Sequence, residues 1–352
     1  MGSHAQEKLP WLRTPCVFSP ELSRIAGCNI YLKLDNLQPS GSFKSRGIGN
    51  LMIKALAASP SPDSVRFYCS SGGNAGLACA HTAVMLGRPA TVVLSHAASP
   101  LMRAKLLALG VDVRQEGGNW AQADAYLRET LLAGDSSGVY VPPFDHPHIW
   151  DGAASIVDEL REQLGAGEEI DAIICSVGGG GMLNGIMQGV DAYTWPGDRK
   201  PRVLAVETVG ADSLNASVRA GEHVTLPAIT SIASSLGATR VSVRSWEYAR
   251  DSAHLRSITV SDADAAASCV RFADDARLLV ETACGATLAV VYAGRLRAEL
   301  SAMKTGGGDG DSDKEWAGKN VVLEVCGGSG ISLEVLEMYR ERYAAQASFK
   351  LS

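Results

Sequence analysis

Apolar runs of strand length alternate with segments of helical period along almost the whole chain. Asn29-Ile30-Tyr31-Leu32-Lys33-Leu34-Asp35 reads as a strand, and Ile48, Leu51, Met52 and Ala55 then recur with helical spacing. Residues 65–69, 90–94, 111–113 and 139–141 read as strands; 77–86, 100–109 and 120–132 read as helices, with Ser99 and Pro100 as the N-cap and first residue of the second. The second half keeps the habit. Helix 153–164 leads to strand 172–176 and a helix from Met182, then to strand 203–207 and a short helix 214–220. A helix opened by Asp262 with Ser261 as N-cap runs through Val270, another spans 288–300, and strand 320–325 precedes a last helix ending at Tyr343. Strand followed by helix, repeated, predicts parallel sheet with helices on both faces.

Four of the strand-to-helix junctions carry small residues and chemistry. Ser40-Gly41-Ser42-Phe43-Lys44-Ser45-Arg46 places Lys44 at the head of a helix beside an aromatic wall, where an amine can be desolvated into a nucleophile; taken alone it reads rather as one more surface cation. Gly178-Gly179-Gly180-Gly181 follows a buried strand and opens a helix, so its backbone N–H groups can cradle a phosphate; the alternative is a floppy turn. It is neither a Walker loop, since no Gly-Lys-Ser/Thr follows, nor the dinucleotide fingerprint, whose spacing it lacks. Ser70-Ser71-Gly72-Gly73-Asn74-Ala75-Gly76 can hold a carboxylate at a helix start, and Asn74 can donate to a phenolate-like oxygen; a plain helix cap is the other reading. Cys326, in Cys326-Gly327-Gly328-Ser329-Gly330, faces the usual ligand crevice at a strand end, or is a small core cysteine.

Composition narrows the classes. The 352 residues are 46% hydrophobic and only 6% aromatic, which suits one large domain or two moderate ones with close helix-on-sheet packing. A net charge of −6 with no long basic tract argues against nucleic-acid or anionic-membrane binding. No apolar run approaches the ~18 residues of a spanning helix. Met1 to Pro10 lacks the apolar core of a signal peptide, and Met1-Gly2-Ser3-His4 reads as a cloning remnant. The eight cysteines form no Cys-x-x-Cys pair, which disfavours zinc and a disulfide framework and favours a reduced cytosolic protein. His146-Pro147-His148 reads as a loop pair rather than a metal site. Lys304 to Glu315, with its Gly/Asp run, reads as a flexible surface insert without chemistry.

A lysine, a phosphate cradle, a carboxylate cradle and a group for a ring nitrogen are together what pyridoxal phosphate needs. The chain resembles the fold-type-II pyridoxal phosphate enzymes, and within them the L-serine dehydratase/L-threonine deaminase branch. The resemblance rests on Pro39 to Gly49, Ser70 to Gly76, Val141-Pro142-Pro143-Phe144-Asp145, Ser176 to Gly181, Ile229-Thr230-Ser231, Leu279-Val280-Glu281 with Ala283-Cys284-Gly285-Ala286, and Val325 to Ser329, in family order and across nearly the whole chain. It implies an α/β fold of two open, twisted, mostly parallel sheets flanked by helices, like the tryptophan synthase β chain. Residues 1–42 and 150–352 would form a large cofactor-binding domain and 43–149 a small substrate-closing one.

The resemblance also implies roles. Lys44 carries the cofactor and moves the Cα proton, and Phe43 stacks on the ring. Asn74 bonds the ring oxygen, Gly178, Gly179, Gly180, Gly181 and Met182 grip the phosphate, and Cys326 faces the ring nitrogen. Ser71, Gly72, Asn74 and Ala75 seat the substrate carboxylate, with Ser71 also a candidate second acid/base. Gly178, Glu207, Ala211, Leu236 and Ala238 match a monovalent-cation site, which K+ would fill. Gly73 stands where some relatives have Ala, which would loosen the substrate's hold, and Thr282 stands where relatives have Pro. The activity implied is β-elimination from L-serine to pyruvate and ammonia, and from L-threonine to 2-oxobutanoate, by a cytoplasmic homodimer serving amino-acid catabolism and gluconeogenesis. A same-fold β-replacement enzyme, a serine racemase and a cofactor-binding protein with little activity are the alternatives.

Overall fold

Among the described residues, ten strands build two sheets. They are β1 (Cys16–Phe18), β2 (Asn29–Lys33), β3 (Arg66–Cys69), β4 (Ala90–Leu94), β5 (Asp112–Gln115), β6 (Gly138–Tyr140), β7 (Ala172–Ser176), β8 (Arg202–Thr208), β9 (Leu255–Val260) and β10 (Asn320–Glu324). The computed structural model describes residues 9–164, 169–303 and 312–351. The larger sheet has the order β1-β2-β10-β7-β8-β9, and the smaller the order β5-β4-β3-β6. Every pairing is parallel except that of β1 with β2. Because helices cover both faces, the central strands are apolar on both sides, and every residue of β4 and β7 is buried.

The predicted strands lie within two residues of their expected bounds, but the 77–86 helix starts at Asn74, the 153–164 helix at Pro147, taking in the expected loop pair His146-Pro147-His148, and the helix from Asp262 runs on to Ala276. Other departures have local causes. The 288–300 segment is two helices, Thr282–Tyr292 and Leu296–Ser301, because Gly294 turns the chain at φ +68°. The 120–132 helix is regular only over Trp120–Tyr126, then widens into a π turn at Leu127–Leu131. Ser99 precedes its helix but makes no side-chain cap bond. The Lys304–Glu315 run lies partly outside the described residues, but its end is a structured helix, Asp313–Ala317. Ser312 and Glu315 close a capping box on that helix, so this part is no flexible insert. Edge strands β1 and β9 and the helices Pro20–Ala26 and Val243–Asp251 were not anticipated.

Lys44 opens the helix Lys44–Ala58, and its place is set by a buried charge cluster two residues on. Arg46 is fully buried and forks onto Asp35 (Nε–Oδ2 2.6 Å, Nη2–Oδ1 2.7 Å) and Glu159 (Nη1–Oε1 2.5 Å, Nη2–Oε2 2.8 Å). Lys33 Nζ reaches Glu159 Oε2 at 2.5 Å and the Thr14 carbonyl at 2.7 Å. Two cations thus meet two anions, with the remaining lone pairs met by Thr14 and Gln38. The cluster ties β2, the helix Lys44–Ala58 and the helix Pro147–Gln163 into one unit. A Cβ on Gly152 would collide with the Arg46 carbonyl, so that crossing requires glycine.

Glu324 lies beside this cluster, in register with Lys33, and is fully buried. Neither of its carboxyl oxygens has a hydrogen-bond partner among the described residues. With Asp35 and Glu159 already balancing Arg46 and Lys33, burial holds Glu324 protonated, pushing its pKa well above the usual 4.5. The unfolded chain ionises above about pH 4.5 while the folded one does not, so this residue costs stability as pH rises. Glu324→Leu is expected to raise Tm, by more at pH 8 than at pH 5. An equal shift at both, read by calorimetry, would show that Glu324 is ionised in the fold.

Candidate active site

The turns after β3, β7 and β10 all leave at the carboxyl ends of parallel strands, where ligand crevices open. The Lys44 turn meets the last of them. Ser42 bridges Gly327, Phe43 N–H donates to the Cys326 carbonyl at 3.2 Å, and Gly328 N–H donates to the Gly41 carbonyl at 2.9 Å. The Ser329 hydroxyl donates to the Ser40 carbonyl at 2.9 Å.

Lys44 is half-buried, with Nζ 5.1 Å from the centre of the Phe43 ring and donating to the Pro143 carbonyl at 2.5 Å. Burial lowers the amine from 10.5 to about 8, and the helix N-terminus at which it sits acts in the same direction. It is not an ordinary surface cation.

The four-glycine turn is a built cradle rather than a floppy loop. Gly180 has φ +92°, and a Cβ there would overlap the Ser245 hydroxyl. The Phe144 ring lies flat on Gly179, so a side chain there is also shut out. The free N–H groups of the first turn of the helix Gly181–Ala192, which includes Met182, face this bend. Beneath it, Asn184 donates to Ser242 Oγ at 2.9 Å and accepts from Ser245 Oγ at 2.7 Å, all three being buried. Phe144 itself is held by Trp150 Nε1, which donates to its carbonyl at 3.2 Å.

The third turn starts the helix Asn74–Leu86. Ser71 Oγ accepts from Gly73 N–H at 3.3 Å, Gly72 is close-packed on Ala98, and Ala75 is buried. A Cβ on Gly73 would meet only Ser71 Oγ, at 3.8 Å, so the site has room for alanine. The Asn74 amide donates through Nδ2 to Glu281 Oε2 at 3.0 Å and accepts from Ser329 N–H at 2.9 Å, leaving one N–H for a ligand. Cys326 is buried with Ser176 Oγ at 3.5 Å. A hydrogen bond with Cys284, and then burial, push its thiol far up, so it is neutral.

The cation set is less gathered. Gly178 packs against Leu236, whose carbonyl accepts from Ala238 N–H at 2.7 Å, and Ala211 is buried. The Glu207 carboxylate caps the helix Ser213–Ala220, accepting from Leu214 N–H at 2.9 Å and Asn215 N–H at 2.7 Å, and burial raises it to about 8. His146 N-caps the helix Pro147–Gln163. All eight cysteines are free thiols, and no helix among the described residues is long and apolar enough to cross a membrane.

The family model of pyridoxal-phosphate dependent enzymes matches residues 8–305. The chain belongs to that family. It is 42% identical over 334 residues to a Bos taurus L-serine dehydratase/L-threonine deaminase, covering 92% of this chain and 93% of the relative. It is 40% identical over 340 residues to the Homo sapiens protein of the same name, covering 94% and 95%. A fungal L-serine ammonia-lyase from Rhizomucor miehei superposes with a TM-score of 0.84 at 36% identity, covering 96% of this chain and 100% of that one. The two sheets are those of the fold-type-II pyridoxal phosphate enzymes. The residues fit the family's cofactor. An amine with lowered pKa, an anion cradle closed to side chains, one spare amide N–H and a neutral thiol converge at one edge.

Sequence reasoning named neither Pro143 and Phe144, which bind Lys44 to the cradle, nor the role of Glu281, nor Ser242 and Ser245. Pro143, Phe144 and Glu281 do lie within stretches that carried the resemblance.

Two outcomes follow for cofactor uptake. Only the neutral amine reacts with an aldehyde, so the rate of colour development in cofactor-free protein should rise through pH 8 rather than near 10.5; a rise only near 10.5 would contradict the lowered amine. Gly180→Ala should weaken pyridoxal phosphate binding at least about tenfold by equilibrium titration, since its Cβ overlaps Ser245 and its φ is left-handed.

Proposed function

We propose that the chain eliminates water from L-serine with pyridoxal phosphate, giving pyruvate and ammonia, and treats L-threonine likewise to give 2-oxobutanoate. The observation that carries this reading is the Lys44 amine, held near pKa 8 on the Pro143 carbonyl, at the edge where the glycine cradle opens. The names of the relatives at about 40% identity support the substrate class.

Lys44 Nζ would hold the cofactor and is placed to take the substrate's Cα proton, with the Pro143 carbonyl there to accept from the resulting ammonium. Phe43 would cover the ring, and Gly178, Gly179, Gly180, Gly181 and Met182 would hold the phosphate. Asn74 would offer its spare N–H to the ring oxygen. Ser71, Gly72, Asn74 and Ala75 seat the substrate carboxylate at a helix N-terminus. Pyridoxal phosphate, when bound, supplies the electron sink that acidifies Cα. Cys326, a neutral thiol, offers the ring nitrogen a hydrogen bond but no full proton, which favours prompt loss of a β-hydroxyl over a long-lived carbanion. Residues 43–149 act as the small substrate-closing domain on the large domain of 1–42 and 150–352. K+ would be held by the carbonyls of Gly178, Ala211, Leu236 and Ala238 with Glu207. The working form is a cytoplasmic homodimer in amino-acid catabolism.

The test is a lactate dehydrogenase-coupled assay of the yellow protein with L-serine in potassium and then sodium buffer, with L-threonine scored for 2-oxobutanoate. Pyruvate formation that is lost, with the yellow colour, in Lys44→Ala is expected. Colour without keto acid from either substrate would overturn the dehydratase in favour of β-replacement, racemisation or a non-catalytic protein.

A further inference from the structure

Glu281 stands at the N-terminus of the helix Thr282–Tyr292, yet its carboxylate makes no cap bond to that helix. Three other segments converge on it. The Asn74 amide donates to Oε2 at 3.0 Å, the Ser235 hydroxyl donates to the same oxygen, and Gly330 N–H donates to Oε1 at 2.5 Å. Each donor comes from a different wall of the crevice. Asn74 belongs to the turn after β3, Ser235 to the loop packed on Gly178, and Gly330 to the turn that begins at Cys326. Gly328 is packed so closely on the Glu281 side chain that a Cβ there would collide with its carboxyl carbon.

We infer that Glu281 is a positioning residue that fixes which way the Asn74 amide faces. The inference rests on the reading in which that amide meets the cofactor. An asparagine amide can turn end for end, and only its partners decide which end faces where. Both Glu281 oxygens accept from neighbouring donors, so its carboxyl group takes the Nδ2 end. Ser329 N–H only donates, so it takes the Oδ1 end, at 2.9 Å. One orientation satisfies both, and it leaves the second Nδ2 hydrogen as the group presented to a ligand. The reverse orientation would set oxygen against carboxylate and N–H against N–H. Because Asn74 comes from the smaller sheet and Glu281 and Ser329 from the larger sheet's side, the same bonds hold the crevice closed. Lys105 Nζ, donating to the Ser329 carbonyl at 2.5 Å, adds a second tie across it.

The test is a double-mutant cycle on cofactor binding. Cofactor-free wild type, Glu281→Ala, Asn74→Ala and the double variant are titrated with pyridoxal phosphate. The absorbance maximum and dissociation constant of the bound cofactor are read, and the Tm of each cofactor-free protein serves as a fold check. Loss of a hydrogen bond to a charged group predicts that Glu281→Ala weakens binding about tenfold or more and moves the absorbance maximum as Asn74→Ala does. The double variant should be no weaker than Asn74→Ala alone. Additive losses in the double variant, or an unmoved maximum with full affinity in Glu281→Ala, overturn the positioning role. If Glu281→Ala does not fold, the cycle is run with Glu281→Gln, which keeps the volume but cannot accept at both oxygens, and the same two outcomes decide. A wild type that gains no Lys44-dependent colour overturns the cofactor reading itself. Colour in the wild type that is indistinguishable from Glu281→Ala overturns only this inference.

Discussion

The buried guanidinium of Arg46 is the fixed point of the molecule. It lies two residues beyond Lys44, is closed off from water, and is gripped on both edges by carboxylates from β2's exit and from the helix Pro147–Gln163. Buried ion pairs seldom stabilise more than a well-packed apolar core would, but leaving one partner uncompensated costs about 3–5 kcal/mol, so alternative arrangements are strongly penalised. The first turn of the Lys44 helix therefore has one position relative to the larger sheet. The same helix Pro147–Gln163 packs on the helix that the glycine turn opens, so amine and cradle are registered through a shared neighbour.

From that anchor the crevice is assembled with groups kept neutral by burial. The amine is drawn down towards 8, and the thiol of Cys326 is driven up. Both are shifts towards the uncharged form, as expected where a hydrophobic wall meets a ligand edge. Such a site can meet an aldehyde with an uncharged amine and thiol, while oriented N–H groups at the helix starts face the ligand and the Glu281 carboxyl stands behind the Asn74 amide.

Much of this could be read from the chain, for a physical reason. Glycine and small polar residues punctuate the junctions where strand becomes helix, and function in a parallel α/β fold lies at those junctions. Lys44, the glycine cradle and Asn74 all carry that local signature. Edge strands β1 and β9 did not. β1 is three residues long with two exposed, and β9 mixes buried with half-buried positions, so neither shows the continuous apolar run of β4 or β7. The break at Gly294 was masked by apolar residues on both sides. The partners of Glu281 were beyond local reading altogether, since Asn74 lies 207 residues away and Gly330 lies 49 away. Pro143 likewise reaches Lys44 across 99 residues. Contacts of that range follow from topology, which the pattern of one strand or one turn does not encode.

The capping box of Ser312 and Glu315 has a consequence for how this chain can vary. It starts the helix Asp313–Ala317 from its own side chains, and Trp316 then pins that helix by donating to the Ala26 carbonyl at 2.8 Å. The start of β10, and with it the placement of Cys326, is thereby tied to the end of the helix Pro20–Ala26. A substitution at Trp316 therefore acts on the crevice at a distance, through the start of β10 rather than through any contact with the ligand edge.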